Sequence, residues 1–178
     1  MFYRLTLPNY EVIKEYEGKG NHAVSKYYKF PFAYFYQKKL KLILREMRVR
    51  YKNIMDFGAG PGIFVPELKK RSSSVLAYEP EQLIDPRWKF DLIVCASVLE
   101  FCELPHTLLV IRSMMTKDSE MIVSSPMDSW ITRLYFWLIG DKTLRHSHTL
   151  IHNHIDRYFH VETYKKWFGI YFVIRAKL

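Results

Sequence analysis

The chain has few cysteines, and their number excludes a small domain stabilised by several disulfide bonds. Cys95 and Cys102 are the only two in 178 residues. They stand seven positions apart, and no other residues at metal-binding spacing accompany them to complete a zinc site. Small disulfide-rich domains need several cysteine pairs. We therefore predict two buried, inert thiols in a reducing compartment, and no metal.

Long apolar runs are also missing. No stretch reaches the roughly 18 uninterrupted apolar residues that a membrane-spanning helix needs. The first residues lack the basic segment and apolar run of a secretory signal. Hydrophobic residues nevertheless make up 49% of the chain, which is enough to bury one core but not two. The sequence predicts a single cytoplasmic domain over residues 1–178.

The charge is unevenly distributed along the chain. Residues 1–52 hold 12 Lys and Arg against 4 Asp and Glu, whereas residues 53–125 hold 7 against 10. Residues 126–178 are basic again, with 8 against 4. A basic surface attracts anions such as RNA or acidic lipid headgroups. An anionic partner is therefore one interpretation, and a merely solvated basic surface is the other.

Helical and strand-like patterns alternate through the middle of the chain. Apolar positions at helical spacing predict helices over residues 37–50 and 104–117, and a short one ending near Arg71. Unbroken apolar runs predict strands, at residues 53–57, 73–79, 90–96 and 120–125. Such alternation is typical of a parallel sheet covered on both faces. Two further strand-like runs, 158–167 and 170–177, are too close for a crossover and predict an antiparallel hairpin.

A glycine-rich turn follows the first predicted strand. Gly58, Gly60 and Gly62 permit positive φ angles and close approach of a ligand to the backbone and to a helix N-terminus. Glu79 ends the next predicted strand, where a carboxylate can accept hydrogen bonds from both hydroxyls of an adenosine ribose. Dinucleotide-binding loops have the pattern G-x-G-x-x-G, and Ile63 stands here in place of its last glycine. A nicotinamide oxidoreductase is therefore a minor alternative.

Four segments in order resemble class I S-adenosylmethionine-dependent methyltransferases. Residues 54–62 (IMDFGAGPG) resemble the first motif of that family, and residues 77–80 (AYEP) resemble its acidic second-strand end. Residues 90–101 (FDLIVCASVLEF) resemble its fourth-strand segment, and residues 121–126 its fifth strand. The resemblance covers residues 40–178. It implies an α/β fold with a Rossmann-like, mostly parallel sheet, helices on both faces and a C-terminal antiparallel hairpin.

The resemblance also implies S-adenosylmethionine as cofactor and a role for particular residues. Asp56 would interact near the cofactor's amino group, and Glu79 would hold the ribose. The remaining implied contacts are Gly58, Ala59 and Gly60 beside the methionine part, Pro80 beside the adenosine, and Ala96 with Ser97 lining the cleft.

The chain departs from the family pattern in two places. Phe101 stands where a histidine often follows Leu-Glu, so any role of that histidine is absent. Only about ten residues separate Glu79 from Phe90, so the third strand and its preceding helix are expected to be trimmed or missing. Asp85, in this interval, either meets the adenine amino group or forms an Asp-Pro turn.

The sequence excludes two classes of methyl acceptor. Residues 96–99 (ASVL) replace the Asn/Asp-Pro-Pro-Tyr of relatives that methylate exocyclic amines, and neither cysteine has the setting of a cytosine-C5 nucleophile. We therefore predict methyl transfer to an oxygen or nitrogen of a small molecule, lipid or glycan. An RNA methyltransferase and a catalytically silent S-adenosylmethionine-binding partner subunit remain as alternatives, and the chain is a candidate homo-oligomer.

The remaining segments are assigned around a cofactor-binding core of residues 37–125. The aromatic and basic lead-in of residues 1–36 includes Tyr34, which is expected near the substrate. Residues 126–157 are expected to form a helical segment on the substrate side, whose apolar part is a core helix, a cover or a membrane-surface contact. His148 and His152 in that segment are candidate general bases. Residues 158–178 form the hairpin.

Overall fold

Six strands form one sheet in the computed structural model, which describes residues 30–48, 50–80, 82, 84, 85, 87–141 and 143–178. The spatial order is β2-β1-β3-β4-β6-β5, with β1 to β4 parallel and β6 antiparallel to both of its neighbours. The predicted mostly parallel sheet with a C-terminal antiparallel hairpin is confirmed. The strands are β1 Tyr51–Phe57, β2 Ser72–Tyr78, β3 Phe90–Ala96, β4 Met115–Pro126, β5 His160–Trp167 and β6 Tyr171–Lys177.

Helices cover both faces of the sheet. They are α1 Phe32–Glu46, α2 Val65–Lys69, α3 Leu104–Ser113, α4 Trp130–Ile139 and α5 His148–Tyr158, with a 3₁₀ turn at Leu99–Phe101. Apolar side chains of α1 and α2 pack on one face, against Ile54, Val94 and Ile122. Those of α3 and α5 pack on the other face. Alternate residues of each strand therefore face different helices, which is why the strands are apolar throughout.

The first helix begins five residues earlier than predicted and ends at Glu46 rather than at residue 50. Its extra turn is held by aromatic contacts that arise only in the fold: Phe32 lies 5.7 Å from Tyr135, and Phe35 lies 5.9 Å from Trp167, between ring centroids. Residues 32–36 of the predicted lead-in thus belong to α1, and residues 1–29 lie outside the described part of the chain.

The predicted boundary between α3 and β4 is also displaced. The helix ends at Ser113, and β4 starts at Met115, five residues before the predicted start. Met115 continues the helical spacing of α3, which extended the prediction too far. Between β3 and β4 the register shifts, and the hydroxyl of Ser119 donates to the Phe90 carbonyl there.

No strand lies between Tyr78 and Phe90 among the residues of that interval that the structure describes. The strand β2 consequently forms one edge of the sheet, as the short interval between Glu79 and Phe90 predicts. In the described ranges, no helix combines the length and the apolar character needed to cross a membrane.

Candidate cofactor and methyl-transfer site

The chain changes direction at the carboxyl ends of β1 and β3, which are neighbours in the sheet. From β1 it continues through α2 on one face to β2, and from β3 through α3 on the other face to β4. In open α/β sheets, ligands bind in the crevice outside the strands at such a switch point. Asp56 at the end of β1 and Ser97 just after β3 stand at this crevice.

The glycine loop adopts the backbone that its sequence predicts, with φ of 73° at Gly58, 56° at Gly60 and 71° at Gly62. Gly58 also lies directly against Val98, because an added Cβ would come within 2.4 Å of its Cγ2 atom. The amides of Gly58 and Ala59 donate to the Tyr78 carbonyl, at 2.7 and 3.2 Å. These N–H groups are therefore used to fix the loop to the end of β2 rather than pointing at a ligand.

Glu79 completes the loop from the neighbouring strand. It follows the last residue of β2, and its Oε1 accepts the Gly60 amide at 2.5 Å. A carboxylate can accept about four hydrogen bonds, so this position is compatible with ribose hydroxyls as further donors. Pro80 is exposed beside it. Asp85 instead pairs with Arg87, at 2.6 Å between Oδ2 and Nη2, and this favours the turn over a contact with adenine.

Asp56 is a buried carboxyl with an unsatisfied oxygen. Its side chain is 1% exposed, and its Oδ2 has no hydrogen-bond partner among the described residues. Burial raises the pKa of Asp56 to about 7, the negative charge of Glu79 adds to this effect, and Lys39 opposes it. An unpaired buried acceptor of this kind costs free energy, so a ligand that carries a donor would stabilise it.

Lys39 is a functional candidate that the sequence reasoning missed. This α1 side chain is 2% exposed, and its Nζ donates to Ser97 Oγ at 2.8 Å. Burial lowers its pKa to about 8, and nearby Glu100 and Asp56 partly offset that effect. The signal was present, because position 39 precedes Ile43 by one helical turn and so lies on the buried stripe.

The segment after β3 carries the other half of the site. Ser97 has a positive φ of 62°, and its amide donates to the Ser124 carbonyl at 2.8 Å. This strained turn holds the Ser97 hydroxyl toward Lys39. Ala96 precedes it, half-buried. Glu100 is buried and accepts from Ser125 Oγ at 2.8 Å, while burial raises its pKa.

Of the three predicted substrate-side residues, Tyr34 lies on α1, and His148 and His152 lie on α5. The ring of Tyr34 is half exposed and contacts Lys38 and Phe35. His148 lies at the start of α5, where its Nδ1 accepts the Asp128 amide at 3.1 Å. His152 stacks near Tyr164, with 4.9 Å between ring centroids, on the sheet face opposite α1.

Cys95 and Cys102 are not joined by a disulfide. Cys95 is fully buried, and burial raises the pKa of its thiol well above the ordinary value. Cys102 is half-buried, with its sulfur 3.4 Å from the Val98 carbonyl oxygen. The Cys95 thiol is therefore un-ionised and unreactive.

A family model described as a methyltransferase domain matches residues 28–169. The chain belongs to this family. It is an S-adenosylmethionine-dependent methyltransferase, as the loop of residues 54–62 and the acid at 79 predicted. No curated protein matches the sequence.

Solved methyltransferase structures share the fold at low sequence identity. The N-methyltransferase NodS from Bradyrhizobium japonicum WM9, in complex with S-adenosylhomocysteine, is 13% identical with a TM-score of 0.59, over 93% of this chain and 97% of that one. A methyltransferase from Aquifex aeolicus is 13% identical with a TM-score of 0.59, over 77% and 88% of the two chains. An O-methyltransferase family 2 protein from Planctomyces limnophilus, in complex with apigenin, is 11% identical with a TM-score of 0.58, over 82% and 59%.

Proposed function

We propose that this methyltransferase transfers the methyl group of S-adenosylmethionine to an oxygen or nitrogen of a small amphiphilic acceptor, such as a lipid, at a membrane surface. The observation that carries the proposal is an exposed apolar surface at the edge of the sheet where the cofactor crevice opens. The relatives with O- and N-methyltransferase names are compatible with either acceptor atom.

The crevice residues fit the cofactor. S-adenosylmethionine presents an ammonium group and two ribose hydroxyls, and bound there it supplies an activated methyl group on a sulfonium. The unpartnered Oδ2 of buried Asp56 suits the ammonium donor. Glu79, fixed beside the loop by Gly60, suits the ribose hydroxyls. The remaining contacts that the proposal assigns to the cofactor are Gly58, Ala59, Pro80, Ala96 and Ser97.

The protein's contribution to methyl transfer is positioning in a site that excludes water. The loop is held rigidly, because Gly58 and Ala59 are bonded to β2 and Gly60 to Glu79. Ser97 is fixed from two sides, by Ser124 and by Lys39. Orientation of this kind can supply roughly 7–11 kcal/mol of a reaction barrier.

Five exposed side chains at the carboxyl edge form a surface that we call the apolar rim. Trp130, Leu134, Trp137 and Leu138 belong to α4, and Phe168 lies in the β5–β6 turn. Trp137 is 74% and Phe168 77% exposed. The turn touches the start of α4, since Ser129 and Thr132 donate to the Gly169 carbonyl. The opposite side of α4, with Tyr135 and Ile139, packs into the protein.

Charge supports a lipid surface as the partner of this rim. The exposed cation Arg133 lies on α4, and exposed Lys166 lies in β5, two residues before Phe168. The chain as a whole has a net charge of +9. Tryptophan and phenylalanine beside basic residues are typical of helices that lie in the interface of anionic membranes. An acceptor that is itself amphiphilic would then reach the crevice without leaving the membrane.

The acceptor class is tested by label transfer. The protein is incubated with methyl-labelled S-adenosylmethionine and, in parallel, with total lipid extract, total RNA and a small-molecule fraction. We expect label in solvent-extractable lipid. Label in RNA would favour the alternative suggested by the basic first 52 residues, and that transfer should fall steeply with salt.

Replacing rim residues is expected to weaken membrane binding. A Trp137→Ser, Leu138→Ser double variant should bind phosphatidylglycerol-rich vesicles at least about tenfold less, since a large apolar side chain contributes about 1.5–3 kcal/mol when fully buried. Co-sedimentation with vesicles measures this. The matched control is Leu109→Ser, an exposed leucine on α3, which should bind as the wild type does. Equal binding by all three proteins would refute the membrane contact.

A further inference from the structure

The amine of Lys39 is held out of water at the crevice. Its Nζ donates a hydrogen bond to Ser97 Oγ, and it lies 4.5 Å from the ring centroid of Tyr36 and 5.6 Å from that of Tyr171. No carboxylate of the described residues forms a salt bridge with it. A lysine is almost never fully buried unless it is paired, so its position calls for a reason other than stability.

Described residues of several segments surround the amine, and one of these segments is the turn with Ser97. Tyr36 belongs to its own helix, and Tyr171 begins β6. Asp56 of β1 and Glu100 of the 3₁₀ turn act on it as negative charges through space, and both favour its protonated form. Burial outweighs them and brings the pKa down to about 8, so the neutral amine is accessible near neutral pH.

We propose that Lys39 meets the methyl acceptor and that its neutral amine takes the proton of a hydroxyl group as that oxygen receives the methyl group. The proposal rests on the methyl-transfer function proposed above and narrows its acceptor to a hydroxyl. The acceptor oxygen forms the new O–C bond, and the C–S bond breaks with its electron pair remaining on sulfur. The O–H proton moves to Nζ and is later lost to water.

The chemistry of the site favours an acidic hydroxyl such as a phenol. Proton transfer is efficient when the pKa of the base lies near the working pH, and a phenol matches such an amine better than an aliphatic alcohol does. A neutral amine acceptor would need no base before transfer. The ring of Tyr36, which is half-buried with its centroid 4.5 Å from the amine, offers an apolar surface that an aromatic acceptor can contact.

A sulfonium in the same crevice would change the pKa of Lys39. An added positive charge favours the neutral amine and lowers its pKa further. S-adenosylhomocysteine lacks that charge. Binding of S-adenosylmethionine at pH 8 should therefore release more protons than binding of S-adenosylhomocysteine, and Lys39 should be the source of the difference.

The experiment is calorimetry at pH 8 in two buffers of different ionisation enthalpy, with both ligands. We expect the wild type to release a fraction of one proton more with S-adenosylmethionine, and Lys39→Met to show no difference between the ligands. Lys38→Met is the matched control, because Lys38 is the neighbouring lysine on α1 and its Nζ lies over the ring of Tyr34. It should keep the difference. Lys39→Gln serves as a second variant if Lys39→Met does not fold.

Turnover gives the second readout, using the label-transfer assay. Lys39→Met should lower turnover about 100-fold or more, the contribution of a general base, while binding S-adenosylmethionine within about threefold of the wild type. Ligand binding with equal proton release in wild type and variant, or unchanged turnover, would overturn the role of Lys39 alone. Failure of the folded wild type to bind either ligand would instead contradict the proposed function.

Discussion

Gly58→Ala is expected to destabilise the protein by about 2–5 kcal/mol and to abolish measurable cofactor binding. The added Cβ would lie 2.4 Å from Val98 Cγ2 and 2.6 Å from Val98 Cβ, so the backbone of one of the two segments must move. Overpacking of this kind costs about 1–3 kcal/mol, and a left-handed φ adds roughly 1–2 kcal/mol for alanine. Because Gly58 joins the ends of β1 and β2, the movement also displaces the loop beside the cofactor.

Gly62→Ala separates the cost of the contact with Val98 from the cost of a left-handed φ angle. Gly62 has nearly the same φ, 71°, but its added Cβ would meet nothing closer than Val65 Cγ2 at 4.0 Å. It should therefore show only the backbone cost, about 1–2 kcal/mol, and retain cofactor binding. Urea unfolding and calorimetry on both variants measure these effects. Equal losses of stability and binding in the two variants would show that the contact with Val98 is unimportant.

Removing the buried charges of the crevice is expected to stabilise the unliganded protein. Lys39→Met should raise the free energy of unfolding at pH 7 by about 1–3 kcal/mol. A shift of one pKa unit corresponds to about 1.4 kcal/mol, and the pKa of Lys39 falls from 10.5 to about 8. The variant also removes the positive charge of Lys39 from beside Asp56 and Glu100, and this reduces the gain in the free energy of unfolding. Both acids can become protonated instead, because burial raises their pKa values.

The pH dependence distinguishes the two charges. The pKa of Lys39 is lowered by folding, so its cost is full below pH 8 and disappears as the pH rises toward 10.5. The pKa of Asp56 is raised from 3.8 to about 7, so its cost is absent below pH 3.8 and full above pH 7. The gain from Lys39→Met should thus fade at high pH, and that from Asp56→Asn at low pH. Thermal unfolding across the pH range measures both.

Destabilisation by both variants at every pH would contradict this interpretation. It would mean that Lys39 and Asp56 contribute to the fold as a structural pair, and that neither is retained for a ligand. Stabilisation by loss of a polar group is instead expected where a site is adapted to bind or react.

The backbone of the glycine loop and the position of Glu79 beside it could be predicted from the sequence because their signals are local. Gly58, Gly60 and Gly62 are required by positive φ angles within one short loop, and Glu79 follows from the end of the next strand. Each inference needs only a strand, a turn and their spacing. The mostly parallel sheet could be predicted for a similar reason. Strands in which apolar and polar residues do not alternate must be covered by helices on both faces of the sheet.

The acceptor half could not be predicted because it depends on contacts between distant segments. Lys39 and Ser97 are 58 positions apart, and no spacing rule connects them. α4 is apolar around most of its circumference, so its sequence does not say which side faces the protein. His148 and His152 lie on α5, which packs on the face of the sheet opposite α1, and their role as general bases stays a prediction.

Cofactor binding in the crevice beside the glycine loop, with Glu79 on the ribose, is the central claim. Calorimetry with S-adenosylhomocysteine tests this claim most directly, on the wild type, Glu79→Ala and Asp85→Ala. We predict micromolar binding by the wild type and by Asp85→Ala, whose carboxylate pairs with Arg87. Glu79→Ala should bind roughly 10- to 100-fold more weakly, the effect of losing hydrogen bonds to a charged group. Absence of binding by the folded wild type, or equal binding by Glu79→Ala, would contradict the claim.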